Sequence, residues 1–289
     1  MSYLTTHSRK FLIAPGLGWL ALFMLVPCGL VFFNSFFERG IYGGIDYVFT
    51  LDNFSRALDP LYLKIFLGSA KIAGIVTLLA ILVGYPAAYA INRMQRRHQT
   101  ALLFLVMLPF WSNYLIRTYA WIVLLNNQGL INQALISTNL VETPVKMLYT
   151  EFAVITGLLY NYLPFVILTI YSSLNKLNPE VLEASSDLGA PAWRTFFRVT
   201  LPLTMPGVAA GAVFVFVLSI GNFITPDLLG GGRTQMVGNL IYDQFLSARD
   251  WPFGAALSFM LIGIMMILLF TQAAISNRMQ GEAQAMRSG

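Results

Sequence analysis

The sequence predicts an all-α integral membrane protein with six transmembrane helices. Three observations carry this expectation. Of 289 residues, 57% are hydrophobic and 11% are charged, where a soluble domain carries about a quarter charged. Six apolar runs reach the length of a helix that crosses a bilayer, which takes about 20 residues. The Lys and Arg residues are biased between alternate loops, as an oriented membrane protein requires.

The six runs are Phe11 to Phe33, Leu67 to Ile91, Ala101 to Leu125, Phe152 to Leu174, Leu203 to Leu228 and Phe253 to Ile275. The first is too long for a signal-peptide core and lacks a small-residue cleavage site, so it reads as a retained anchor. Residues 1–66 therefore form a tail, first span and outer loop. Residues 67–275 form a five-helix core, and 276–289 a second tail. The lone cysteine, Cys28, lies within the first run and reads as a small buried hydrophobe. It permits no intrachain disulfide and no thiolate metal cluster. The net charge of +5 is spread over loops rather than gathered in a stripe, which argues against a nucleic-acid partner.

With the N-terminus inside, the cytoplasmic segments hold ten Lys and Arg against four acids. These are Arg9, Lys10, Arg93, Arg96, Arg97, Lys176, Arg194, Arg198, Arg278 and Arg287 against Glu180, Glu183, Asp187 and Glu282. The outer segments hold six basic residues against nine acids. Both termini are then expected in the cytoplasm. Lys71 and Arg117 fall inside predicted spans near their outer ends, where a long side chain can reach the interface or make a structural hydrogen bond.

The third span is polar in its outer half, with Trp111, Ser112, Asn113, Tyr114, Arg117, Tyr119 and Trp121. An aromatic belt accounts for Tyr119 and Trp121. The fourth repeats the mixture as Tyr160, Asn161 and Tyr162, and the fifth ends with Asn222, Phe223 and Asp227 before a glycine run. Trp111, Asn113, Tyr114, Tyr160, Asn222, Phe223 and Asp227 are therefore candidates for a solute path. Each also has a plainer reading as belt, bundle glue or loop charge. Pro86, Pro109, Pro164, Pro206, Gly74, Gly84, Gly157, Gly207, Gly211 and Gly221 permit close helix approach and local breaks.

Between the fourth and fifth spans lies a soluble-looking segment, 178–202. Asn178 is suited to an N-cap, Pro179 to the first helical position and Gly189 to a left-handed helix end. A second short helix is expected from Pro191, carrying Trp193, Phe196 and Phe197 with Arg194 and Arg198. There is no Gly-Lys dipeptide and hence no phosphate-binding loop. The chain cannot hydrolyse ATP by that route, and no catalytic or metal constellation is visible.

Glu183-Ala184-Ser185, three residues to Gly189, nine more to Val199, then Leu201-Pro202 resembles the cytoplasmic coupling loop of binding-protein-dependent, type I ABC importer permeases. Ser185 and Val199 depart mildly from that family's Ala and Ile. The resemblance implies a six-helix permease bundle with a cytoplasmic coupling helix, in which Glu183, Ala184, Asp187, Leu188 and Gly189 meet an ATPase subunit. The runs LDNFSRALDPLYLKIF, LPFWSNYLIRTYAW, PLTMPG and ARDWPFGAA are similar to spermidine/putrescine permeases of the inner membrane. That similarity implies a non-catalytic permease for polyamines with no cofactor. Its implied partners are a pair of ATPase subunits, a second related permease, a periplasmic binding protein and membrane lipid. The alternatives are another small charged solute (an amino-acid-like compound, a phosphonate or ferric ion) and an ion-coupled secondary transporter. The second fits poorly because no carboxylate lies deep in a span.

Overall fold

The computed structural model describes residues 2–288, with side chains for residues 15–274. The expected charges at Arg9, Lys10, Arg278, Glu282 and Arg287, with the 276–289 tail's side chains, lie outside that set. The chain divides into two compact units, residues 1–63 with 240–262, and residues 64–239 with 263–289.

The first unit contains α1 (Ser2–Asn34), a hairpin of β1 (Phe37–Arg39) and β2 (Ile45–Phe49), and α2 (Asp52–Ala57). It also takes the end of α12 (Val237–Leu246) and the start of α13 (Trp251–Ser288). An aromatic cluster links α1, the hairpin and α2: Phe36 stacks parallel on Phe49 at 5.9 Å and lies 5.0 Å from Phe32 and 5.3 Å from Phe54. Cys28 is exposed on α1, contrary to the expectation of burial. The reason is that no residue of the hydropathic window in Pro15–Asn34 is buried by the rest of the chain.

The second unit is a helical bundle. Its long elements are α3 (Pro60–Asn92), α7 (Glu151–Leu174) and α10 (Leu201–Ile220). Interspersed are α4 (Arg96–Met107), α5 (Tyr114–Leu125), α6 (Leu130–Ser137), α8 (Pro179–Asp187), α9 (Ala192–Thr195) and α11 (Ile224–Gly230). The core lies along α7, where Val154, Leu158, Val166 and Ile170 are fully buried with Val76 and Ala80 of α3. Close approach of α7 and α10 depends on small residues: a Cβ at Gly207 would lie 2.8 Å from the Thr169 carbonyl, and one at Gly211 would lie 3.5 Å from the Val166 Cα. Without a hydrophobic drive between helices in lipid, such backbone proximity is what packing relies on. Tyr85 of α3 and Thr204 of α10 share a buried hydrogen bond of 2.8 Å.

Among the described residues, five helices are long and apolar enough to span a membrane, and a sixth span forms if a bent pair counts as one. The expected straight third span is that pair. It turns by 90° between Trp111 and Tyr114, because Pro109 withholds an N–H and the Asn113 side chain accepts from the Leu115 N–H to start α5 afresh. The expected fifth span also breaks, at Gly221 to Phe223, and α11 follows as a separate helix.

Candidate functional site

The segment 178–202 folds as its local chemistry dictates. The Asn178 side chain accepts from the Glu180 N–H at 3.1 Å and donates to the Glu180 carboxylate at 2.9 Å. Pro179 occupies the first turn of α8, and Gly189 ends it at φ +74°. Glu180 sits at the helix N-terminus, where a negative charge opposes the exposed N–H groups favourably. Glu183, Ala184, Asp187, Leu188 and Gly189 are all exposed. Leu188 is 88% exposed, at the end of an acidic helix.

On its other side α8 is tied inward. Ser185 and Thr195 hydroxyls meet at 2.8 Å, joining α8 to α9. The second helix differs from expectation. Pro191 caps α9 from outside, and α9 runs through a π-turn at Phe196–Thr200 directly into α10. Residues Ala192–Ile220 thus form one rod of 29 residues, about 43 Å long at 1.5 Å per residue. Phe196 fixes its lower part edge-on against Tyr85 and Tyr89 of α3, both at 5.5 Å. Behind α8 lies a cavity of about 460 Å³ lined in part by Arg93, Gln99, Leu182 and Thr195.

At the other end of the rod stands a polar knot. Asn222 donates through Nδ2 to the phenol oxygens of Tyr114 and Tyr162, each at 2.7 Å, and accepts through Oδ1 from the Thr225 N–H at 2.9 Å. The Tyr114 and Thr225 hydroxyls meet at 2.5 Å, and Tyr162 donates to the Leu218 carbonyl at 3.2 Å. One carboxamide therefore holds α5, α7, α10 and α11 together.

Among the expected path residues, the structure brings Tyr114 and Asn222 into contact. Asn113 serves as the α5 cap. Trp111 is 77% exposed and packs on Phe104, and Tyr160 packs on Trp121 at 5.5 Å. Phe223 precedes α11, and Asp227 lies in its first turn, exposed. Thr225, essential to the knot, was not singled out in the sequence, where nothing distinguishes it from other span threonines. Asn161, 1% exposed, has neither amide atom hydrogen-bonded among the described residues, nor has the Ser219 hydroxyl.

The two intramembrane cations differ. Lys71 pairs with Glu151 at 3.0 Å, both half-exposed. Arg117 donates to the Pro109 carbonyl at 3.1 Å and lies 5.0 Å from the Phe110 ring and 5.7 Å from the Tyr114 ring. It makes the structural hydrogen bond that its position suggests, while its Nε is buried without a partner among the described residues.

Comparison with known proteins gives a consistent answer. Residues 10–281 match the family described as binding-protein-dependent transport system inner membrane component. The chain is 40% identical over 277 residues to the spermidine/putrescine transport system permease protein PotB of Salmonella typhimurium (strain SL1344), covering 95% of this chain and 96% of that protein. It is 41% identical over 264 residues to PotB of Escherichia coli (strain K12), covering 90% and 96%. Its fold is similar to a chain of a bacterial alginate ABC transporter in complex with an alginate pentasaccharide-bound periplasmic protein. That match has a TM-score of 0.75 at 18% identity, over 95% of this chain and 96% of that one.

Proposed function

This chain belongs to the binding-protein-dependent transport system inner membrane component family, and on that premise we propose that it forms the path for polyamines in an ATP-driven importer. The observation that carries the solute class is identity of 40% along nearly the whole chain to permeases named for spermidine and putrescine. The protein is a multi-pass inner-membrane permease subunit.

The chemistry of the knot supports this reading. Phenol and carboxamide oxygens accept from ammonium groups, and Tyr faces attract them by about 0.5–2 kcal/mol. In this reading both termini and α8 are cytoplasmic, and α8 is the coupling helix. Two ATPase subunits hydrolyse ATP, a second related permease completes the path and a periplasmic binding protein delivers the solute. ATP binding favours one arrangement of the ATPase pair. The rod Ala192–Ile220 then carries displacement of α8 toward the Asn222 knot.

Uptake of labelled putrescine and spermidine by cells lacking the chromosomal gene tests the solute class. Complementation with this chain should restore saturable uptake of at least one, and each should compete with the other. Identical uptake with and without the chain would remove polyamines from the account. The Arg117 guanidinium, 5.7 Å from the Tyr114 ring, favours an anion such as a phosphonate as the second reading; phosphonate uptake in the same cells decides between them.

A further inference from the structure

The cavity of about 460 Å³ behind α8 is walled by two kinds of polar group. One kind is already engaged. The Gln99 side-chain nitrogen donates to the Asn92 and Met94 carbonyls, both at 2.8 Å, and its Oε1 accepts from the Tyr171 hydroxyl at 2.9 Å. The Ser186 hydroxyl donates to the Leu182 carbonyl at 3.1 Å, and that of Thr195 meets Ser185 at 2.8 Å. These bonds fix the wall in place.

The other kind is free. Asn92, Arg93, Asn175 and Thr200 also line the cavity, and their side chains make no hydrogen bond or ion pair among the described residues. Arg93 has a ring contact alone, its guanidinium lying 4.5 Å over Tyr89. Thr200 is 3% exposed and closes the π-turn that joins α9 to α10. A hydroxyl so buried destabilises the fold until something meets it, and π-turns recur at functional sites.

The chemistry of these four groups selects an anion. No Asp or Glu lines the cavity, so Arg93 supplies the formal charge of the lining and a polyamine is repelled from it. The donors come from three places in the chain: the end of α3, the end of α7 and the π-turn. A carboxylate is satisfied by the guanidinium fork, whereas a tetrahedral phosphoryl group turns oxygens toward several donors at once.

We propose that this cavity binds a phosphoryl group, with Arg93 supplying the charge and Asn92, Asn175 and Thr200 the further hydrogen bonds. A free phosphate and the phosphodiester of an anionic lipid headgroup share that chemistry. A group held there ties the ends of α3 and α7 to the start of α10, behind α8. The site stands on its own residues and does not depend on which solute the permease carries.

The experiment follows thermal unfolding of the full-length permease, purified with the subunits that accompany it, in two series. In detergent, inorganic phosphate replaces chloride at constant ionic strength. In nanodiscs without added phosphate, phosphatidylglycerol replaces phosphatidylcholine. Both series compare wild type with Arg93→Gln, Thr200→Val and Arg96→Gln, the last being an exposed basic residue outside the lining. Stabilisation of the wild type in the first series assigns free phosphate, and stabilisation confined to the second assigns a lipid headgroup. Arg93→Gln and Thr200→Val should each raise the concentration for half the effect about 10-fold or more, as loss of a hydrogen bond to a charged group does. Arg96→Gln should respond as wild type. A wild type that neither probe stabilises overturns the proposal, and so does a response that Arg93→Gln and Thr200→Val retain in full or that Arg96→Gln loses equally, which would make it diffuse surface charge.

Discussion

Replacing Leu188 by aspartate is expected to reduce ATP-driven uptake by 100-fold or more while leaving the permease folded and in the membrane. Leu188 is 88% exposed on a helix otherwise presenting Glu183 and Asp187, so its side chain contributes nothing to packing within this chain. A large apolar group so placed is the anchor a partner groove would take. Truncating such an anchor costs about 2–4 kcal/mol, or about 30- to 1,000-fold in affinity, and a buried carboxylate adds a desolvation penalty. Glu183→Lys should act in the same direction by reversing the charge of the same surface. Membrane abundance and thermal stability of the permease alone should stay at wild-type level. Normal uptake by both variants would show that α8 does not transmit force.

The second large effect concerns stability and is asymmetric. Arg56→Met should cost about 3–5 kcal/mol, because it leaves the Asp250 carboxylate 1% exposed without its countercharge. Asp250→Asn should cost far less, since the Arg56 side chain is 46% exposed and can hydrate, and the asparagine oxygen can still accept from the Phe253 N–H. Burial works against the charge on Arg56, but the hydrogen bonds and charges of Asp250 and Tyr62 together outweigh it, and the guanidinium pKa is raised. The guanidinium also sits 3.9 Å from the Phe253 ring. The double variant Arg56→Met, Asp250→Leu should recover most of the loss, as an apolar pair replacing a buried ion pair commonly does. Thermal unfolding of the purified complex checks this. Equal losses for Arg56→Met and Asp250→Asn would contradict it.

What could be read from sequence was the chemistry that acts locally. The Asn178 cap, Pro179 and the left-handed Gly189 involve residues within one or two turns of each other, and the structure places them as their side chains dictate. The apolar runs were legible as spans, because bilayer thickness fixes their length. Their breaks were not, since hydropathy averages over Pro109 to Asn113 and over Gly221 to Phe223, where one missing N–H or one cap decides. The knot was half legible. Tyr114 and Asn222 stood out as polar groups in apolar surroundings, but the bonds of Asn222 reach across 108 residues to Tyr114 and 60 to Tyr162. No spacing announces such pairs. The hairpin escaped for the opposite reason: strands of 3 and 5 residues carry almost no periodic signal.

The importer account requires that α8 face the cytoplasm and touch the ATPase. Cys28 is the lone cysteine of the chain, so a Cys28→Ser, Ser186→Cys variant carries one thiol on that helix, at an exposed position beside the Leu188 anchor. In the assembled transporter this thiol should react with a membrane-impermeant maleimide in inside-out vesicles but not in intact cells. It should also form an oxidant-induced cross-link to the ATPase subunit. Labelling from outside intact cells, or free labelling inside with no cross-link, would contradict the account.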